Sequence, residues 1–376
     1  MPSQTVSTLV VGMFLTGCAN SLLTKWQDKQ CVEHCDTARV DFEQPVWQTL
    51  NMFIGEFLCC VPLLWQRRNK HQYAPVGEDE GEEEETLSGW RMGWMWFPAF
   101  FDICGTTLMN VGLILTPVSV YQMSRGALVI WVGGLSRIFL KRYLYLYQWA
   151  ALFIVTLGVC LVGLSGSLAQ HGSVTSLSAN DDEAAKVALG VALILFAQVF
   201  TATQYVVEEK IMSRYHTEPL VAVTLEGFFG LITTLVGMPI LYLFRDRSDY
   251  FDIPRGWHQI TSTPSVMWLS LAICFSIGAF NYFGLSVTTR VSATTRSTID
   301  TCRTLGIWVV SLGVGWEHLV WPFSLLQVAG FAMLVYGTFV FNGLLAPFCS
   351  GRPVQLGEGE LDPAESRGYD VVPRDD

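Results

Sequence analysis

The chain of 376 residues is 51% hydrophobic and only 15% charged, with a mean hydropathy of +0.37 and a net charge of −10. Soluble domains carry about 25% charged residues, so the composition excludes an ordinary water-soluble globule, a secreted disulfide scaffold and a nucleic-acid binder. The negative charge is local. Seven acids stand in residues 78–85 (EDEGEEEE), and the tail from Gly351 holds seven more against three arginines, which leaves the body close to neutral.

About 20 apolar residues cross a bilayer as a helix. Long apolar runs predict ten such spans, near residues 5–24, 46–65, 92–115, 118–139, 147–168, 187–207, 220–243, 266–288, 292–315 and 323–345. The first run has no cationic leader and no clear cleavage site after it, which predicts a retained span. The loop that follows carries Cys31 and Cys35 (CVEHC), a spacing that suits a local disulfide as well as two free thiols. The single neighbouring His34 does not complete a tetrahedral set, so neither a metal nor a cofactor is expected. The cysteines inside spans read as small apolar packing residues. Trp90, Trp94 and Trp96, then Tyr143, Tyr145 and Tyr147, read as interface anchors. Very tight turns are expected around Pro117 and Arg290. With a cytosolic N-terminus, 13 Lys and Arg residues fall on the cytosolic side and 7 on the other. This predicts cytosolic N- and C-termini.

The fold expected is therefore an all-α polytopic membrane protein of ten transmembrane helices. Weak internal similarity divides it into an inverted repeat of five plus five. Thr16 and Lys25 recur as Thr201 and Lys210, Gly112 and Thr116 as Gly284 and Thr288, and Gln148 and Gly158 as Gln327 and Gly337. Residues 1–168 form the first repeat, with a disordered acidic cytosolic loop at about 68–90. Residues 169–186 are a linker, 187–345 the second repeat and 346–376 a disordered acidic tail. Five is odd, so the halves enter the membrane from opposite sides, an architecture with a midplane cavity.

Ionisable groups inside spans are costly and need partners. They are Glu56, Asp102, Arg125, Glu226, Arg296, Asp300 and Arg303. Asp102, Thr106 and Asn110 step by four along one helical stripe, Gln122 and Arg125 by three, and Arg296, Asp300 and Arg303 by four and three. Asp300 can pair with either arginine of its own helix, and Glu56 and Glu226 can simply brace packing. Glu208, Glu209 and Lys210 close the sixth span, where a charge cluster is expected to be solvated, with a gating ion pair as the alternative reading. Tyr121, Gln204, Tyr205 and Asn281 add aromatic and amide groups to the candidate cavity. Asp102, Glu226 and Glu56 are the carboxylates expected to carry a coupling proton. All six histidines lie in loops or at span edges, and no nucleophile elbow or phosphate loop occurs, so catalysis is not expected.

Several runs carry a resemblance: GEF at 55–57, DICGTTLMNVGL at 102–113, YQMSRGA at 121–127, QYVVEEK at 204–210, LEGFFG at 225–230 and SATTRSTIDTCRTLGIW at 292–308. By these the chain resembles subfamily F of solute carrier family 35, within the drug/metabolite transporter (EamA-like) superfamily. The resemblance implies ten spans, cytosolic termini and transport of a small-molecule substrate across an internal membrane. In a related branch that carries phosphorylated sugars, basic residues of the ninth span hold the phosphate. Arg303 occupies a similar place, but it is followed by Thr304 where that branch has a Lys-Arg pair. Tyr73-Ala-Pro-Val76 and Tyr369-Asp-Val-Val372 fit tyrosine-based adaptor signals, which with the resemblance favours a lysosome- or vacuole-like membrane over the Golgi. Arg125, Arg296 and Arg303 set against Asp102 and Asp300 leave a positive excess. The expected substrate is accordingly anionic or zwitterionic, carried by alternating access with proton coupling. The alternatives are a Golgi exchanger of nucleotide sugars or phosphorylated metabolites, and a non-transporting scaffold. The partners expected are that substrate, the lipid bilayer and adaptor proteins, with no nucleic acid and no oligomeric state indicated.

Overall fold

The computed structural model describes residues 2–35, 39–73, 87–116, 121, 124–171, 181–247, 249–316 and 323–345. Twelve α-helices occur among them: α1 (Pro2–Asp28), α2 (Pro45–Phe57), α3 (Cys60–Tyr73), α4 (Trp96–Leu115), α5 (Leu128–Phe139), α6 (Leu146–His171), α7 (Asp181–Arg214), α8 (Pro219–Tyr242), α9 (Ile253–Ser262), α10 (Pro264–Arg290), α11 (Ala293–Gly313) and α12 (Phe323–Phe341). Seven stretches of the described residues are long and apolar enough to cross a membrane, and one of them runs through α2 and into α3. Of the other helices, α5 is short and apolar, and α11 carries Arg296, Asp300 and Arg303 in its N-terminal half.

Local chemistry sets the helix ends. Pro45, Pro219 and Pro264 stand at first-turn positions, where the missing N–H costs nothing. The Ser292 hydroxyl accepts from the Thr295 amide at 3.0 Å and starts α11 two residues after α10 ends. This is the tight turn expected at Arg290. Hydroxyls inside the apolar helices bond back to their own turns, as Thr116 does to Gly112 O (2.8 Å) and Thr288 to Gly284 O (3.0 Å). Large apolar side chains such as Leu15, Phe153, Phe196, Val236 and Phe275 face outward, as lipid-facing residues do.

Helix packing is close where glycines meet. A Cβ on Gly158 would lie 2.7 Å from the Gly330 carbonyl oxygen, and a Cβ on Gly330 equally near that of Gly158. This contact joins α6 to α12, one of the most extensive helix pairs. The other large pairings are α4 with α7, α1 with α10, α2 with α8, α2 with α10, α5 with α7 and α1 with α11.

Three features depart from the sequence expectations. The second span is interrupted at Leu58 and Cys59, between α2 and α3 and two residues beyond Glu56. Helix α7 begins at Asp181, so helix covers the last residues of the expected linker, and α3 runs to Tyr73 into the expected acidic loop. Thirdly, the loops at one end of the bundle are structured. A short antiparallel hairpin pairs Cys31–Glu33 with Val40–Asp41, and Cys31 is joined to Cys35 by a disulfide. Opposite it lies the strongly amphipathic α9, capped by Asp252. Arg255 grips Glu33 with two bonds of 3.0 and 2.8 Å, Gln259 adds a third of 2.8 Å, and Gln259 also accepts from Gln44 at 3.0 Å. The Arg255 and Gln259 hydrogen bonds hold the Glu33 carboxyl down at about 2. Helix α9 falls between the expected spans 220–243 and 266–288, too short and too polar to cross a membrane. The acidic run 78–85, the Tyr369 motif and Gln122 lie outside the described residues, and Tyr73 ends α3.

Candidate functional site

The charged residues predicted from sequence converge inside the helical body. Glu56 of α2 is 1% exposed, Glu226 of α8 is 4% exposed and Arg296 of α11 is 2% exposed. Asn281 of α10 donates its amide to Glu56 Oε1. Gln204 of α7 donates to Glu226 Oε1 at 3.0 Å. Asp102 of α4 is half-buried and accepts from the Thr106 hydroxyl, one turn on, at 3.2 Å. Asn110, two turns beyond Asp102, is likewise half-buried.

The partner of Arg296 is Glu208 of α7, which is fully buried. This corrects the expectation of a solvated cluster at the end of the sixth span. Helix α7 continues to Arg214, so Glu208 and Glu209 lie within it and both are buried, while Lys210 is exposed. Glu209 has a separate task. It accepts from the Ala293 amide at 2.7 Å, at the N-terminus of α11, and pairs with Arg142 at 2.9 Å. The missed signal was the length of the α7 run: Ile211 and Met212 extend its apolar pattern past the charges.

Arg296 is enclosed on three sides. Its guanidinium carbon lies 4.0 Å from the Tyr205 ring centroid, its Nη1 donates to Glu208, and its Nε would be 2.8 Å from any Cβ placed on Gly284. Only glycine leaves room for the guanidinium at that level of α10. Glu56, Asp102, Glu208 and Glu226 all act electrostatically on one another through this region, with Arg296 as the cation among them. Glu56 Oε2, Glu208 Oε1 and Arg296 Nε are buried without a hydrogen-bond partner. Buried polar atoms of that kind are uncommon.

A second group centres on Asp300. Asp300 pairs with Arg303 at 3.2 Å within α11, so of the two pairings open to Asp300 it takes the i,i+3 one. Arg303 lies 5.0 Å over the Phe280 ring. Half-buried Arg125, 5.8 Å over the Tyr121 ring, is within electrostatic reach of Asp300 and Tyr205. The interior is thus polarised. Glu56, Asp102, Glu208 and Glu226 share Arg296 in one group, Arg125 and Arg303 share Asp300 in another, and Tyr205 is within electrostatic reach of both. The positive excess inferred from sequence does not hold for the whole interior, because that count left out Glu208, Glu56 and Glu226; it holds for the second group.

Residues 92–344 match the family model described as the UAA transporter family. Solute carrier family 35 member F6 of Mus musculus is 36% identical over 372 residues, covering 94% of this chain and 95% of its own. The same-named protein of Homo sapiens is 35% identical over 356 residues, 91% of each chain. An uncharacterized protein of Schizosaccharomyces pombe is 36% identical over 342 residues, 90% of this chain and 97% of its own. A solved crystal structure of a protein superposes with a TM-score of 0.58 at 11% identity, covering 91% of this chain and 98% of that one, a likeness of fold alone. The chain is a multi-pass membrane protein that belongs to the UAA transporter family, on the branch of solute carrier family 35 member F6.

Proposed function

We propose that the protein is a secondary-active transporter of a small zwitterionic or anionic organic metabolite, coupled to protons. It works by alternating access in a lysosome- or vacuole-like membrane, with both termini cytosolic. The observation that carries this reading is the polarised buried charge on α2, α4, α7, α8 and α11. A transporter interior needs groups that exchange partners, and ion pairs in low dielectric are too costly to keep without a use. The basic side, Arg125 and Arg303, suits a carboxylate or phosphate. The acidic side suits a proton or an ammonium group. A zwitterion such as an amino acid or short peptide meets both.

Ten crossings in an inverted repeat fit the pairing of helices. With α2 and α3 as one span and residues 118–139 as another, α1 packs on α10 as α7 does on α4, and α1 on α11 as α7 does on α5. The pairs α2–α8, α5–α11 and α6–α12 each join a helix to its own counterpart. The interruption after Glu56 gives the second span the broken form common at transporter sites.

A thermal-shift screen of purified protein against amino acids, short peptides, nucleotide sugars and organic cations tests the substrate class. Binding raises the melting temperature by mass action. Zwitterions or carboxylates are expected to stabilise the wild type and to lose that effect in Arg303→Ala. Stabilisation by nucleotide sugars alone would replace this reading with the nucleotide-sugar one, and stabilisation by cations alone would refute the assignment of the basic side.

A further inference from the structure

A cavity of about 110 Å³ lies at the end of the bundle that carries the disulfide hairpin, away from the central charges. Gln27, Trp47, Gln48, Asn51, Trp257 and Ser270 line it, together with apolar side chains. Its hydrogen-bond donors are largely spent within the protein. Gln27 Nε2 donates to Ser270 Oγ (2.7 Å) and Val266 O (3.4 Å). Gln48 Nε2 donates to Asp28 Oδ1 (2.6 Å) and Gln27 Oε1 (3.4 Å). The Trp47 indole donates to Ile253 O (3.1 Å), the Ser270 hydroxyl to Val266 O (2.9 Å), and Asn51 gives one amide hydrogen to Ser270 O (2.9 Å). Carbonyl and carboxylate oxygens can only accept, so these partners fix the orientation of all three amides. Asn51 Oδ1 accepts from the Cys274 thiol (2.8 Å) and Gln27 Oε1 from Gln48, so what the lining offers a guest is the Gln48 amide oxygen, the second lone pairs of the other oxygens, and indole. Trp47 and Trp257 stand 5.4 Å apart between centroids and tilted by 33°, and Asp28 lies one hydrogen bond behind Gln48.

We propose that this cavity binds a small alkylammonium ion. An ammonium brings three donors and no acceptor, the complement of this lining, and its charge favours indole faces and a nearby carboxylate. The volume limits the guest. An engineered cavity of about 150 Å³ accepts benzene, so this one takes a group of roughly four or five heavy atoms. That size fits a free small amine and the ethanolamine head of a phospholipid alike.

The test is a tryptophan-fluorescence titration of the full-length protein with propylammonium and, in parallel, with 1-propanol, its neutral counterpart. It is run in phospholipid-free micelles and in nanodiscs of phosphatidylglycerol or phosphatidylethanolamine. Saturable binding of propylammonium but not of propanol is expected. Asp28→Asn should weaken it about tenfold, through loss of the negative charge held behind Gln48, and Trp47→Leu should abolish it. Weaker apparent affinity in phosphatidylethanolamine than in phosphatidylglycerol supports the proposal with the lipid head as occupant; equal affinity supports it with the free amine. Equal response to propanol, no saturable response in any preparation, or unchanged affinity in folded Asp28→Asn and Trp47→Leu proteins would overturn it.

Discussion

The guanidinium of Arg296 lies 4.0 Å over the ring of Tyr205 and donates to Glu208, three residues further along the helix that carries the tyrosine. One helix therefore supplies both an aromatic face and a counter-ion to one cation on another. The face and the hydroxyl are separable. Tyr205→Phe should leave thermal stability nearly unchanged, whereas Tyr205→Leu should lower it by about 1–2 kcal/mol, the value of a desolvated cation–π contact. Unfolding midpoints in detergent measure both.

The ion pair gives a sharper test. Removing either partner strands a buried charge, so Glu208→Gln and Arg296→Ala should each cost about 3–5 kcal/mol. The apolar double variant Glu208→Leu with Arg296→Met should recover most of that stability, because a buried pair replaced as a unit is often neutral. If the pair serves transport, the recovered double variant folds but does not transport.

Gly284 should be similarly intolerant. A methyl group there meets Arg296 Nε at 2.8 Å, so Gly284→Ala should cost about 1–3 kcal/mol by overpacking. The variant should lose little when Arg296 is already Ala. A double-mutant cycle on thermal stability reads this coupling.

How far these features were legible in the sequence follows from what each span had to do. Glu56, Asp102 and Glu226 stood out because a lone charge interrupts an apolar run, and Arg296 because it steps by four to Asp300 on one helical stripe; the structure brings them together. Glu208 did not stand out, since three adjacent charges look like a helix end meeting water; only the apolar residues after them say otherwise. The hairpin and α9 were not legible, because outside the membrane neither hydropathy nor length constrains a segment. There the link is a three-residue strand whose Glu33 meets Arg255 more than two hundred residues away. No local pattern encodes that pairing.

The contact between the hairpin and α9 has a defined pH window. The Glu33 carboxyl sits at about 2 in the folded protein, below its usual value near 4.3. Its stabilising effect is therefore fully present above that usual value and is lost as the pH falls toward 2. Down to about pH 5 the contact persists. Hydrogen exchange of α9 should be flat from pH 7 to about 5 after correction for intrinsic rates, and Arg255→Ala should raise it across that range.

If buried carboxylates carry a proton with the substrate, proteoliposome uptake follows an imposed pH gradient. Radiolabelled amino acids and short peptides are supplied with and without the gradient, using wild type, Asp102→Asn and Glu226→Gln. Uptake should be driven by the gradient in wild type and uncoupled or lost in both variants. Uptake in wild type that is indifferent to the gradient, or variants that keep full gradient-driven uptake, would contradict proton coupling.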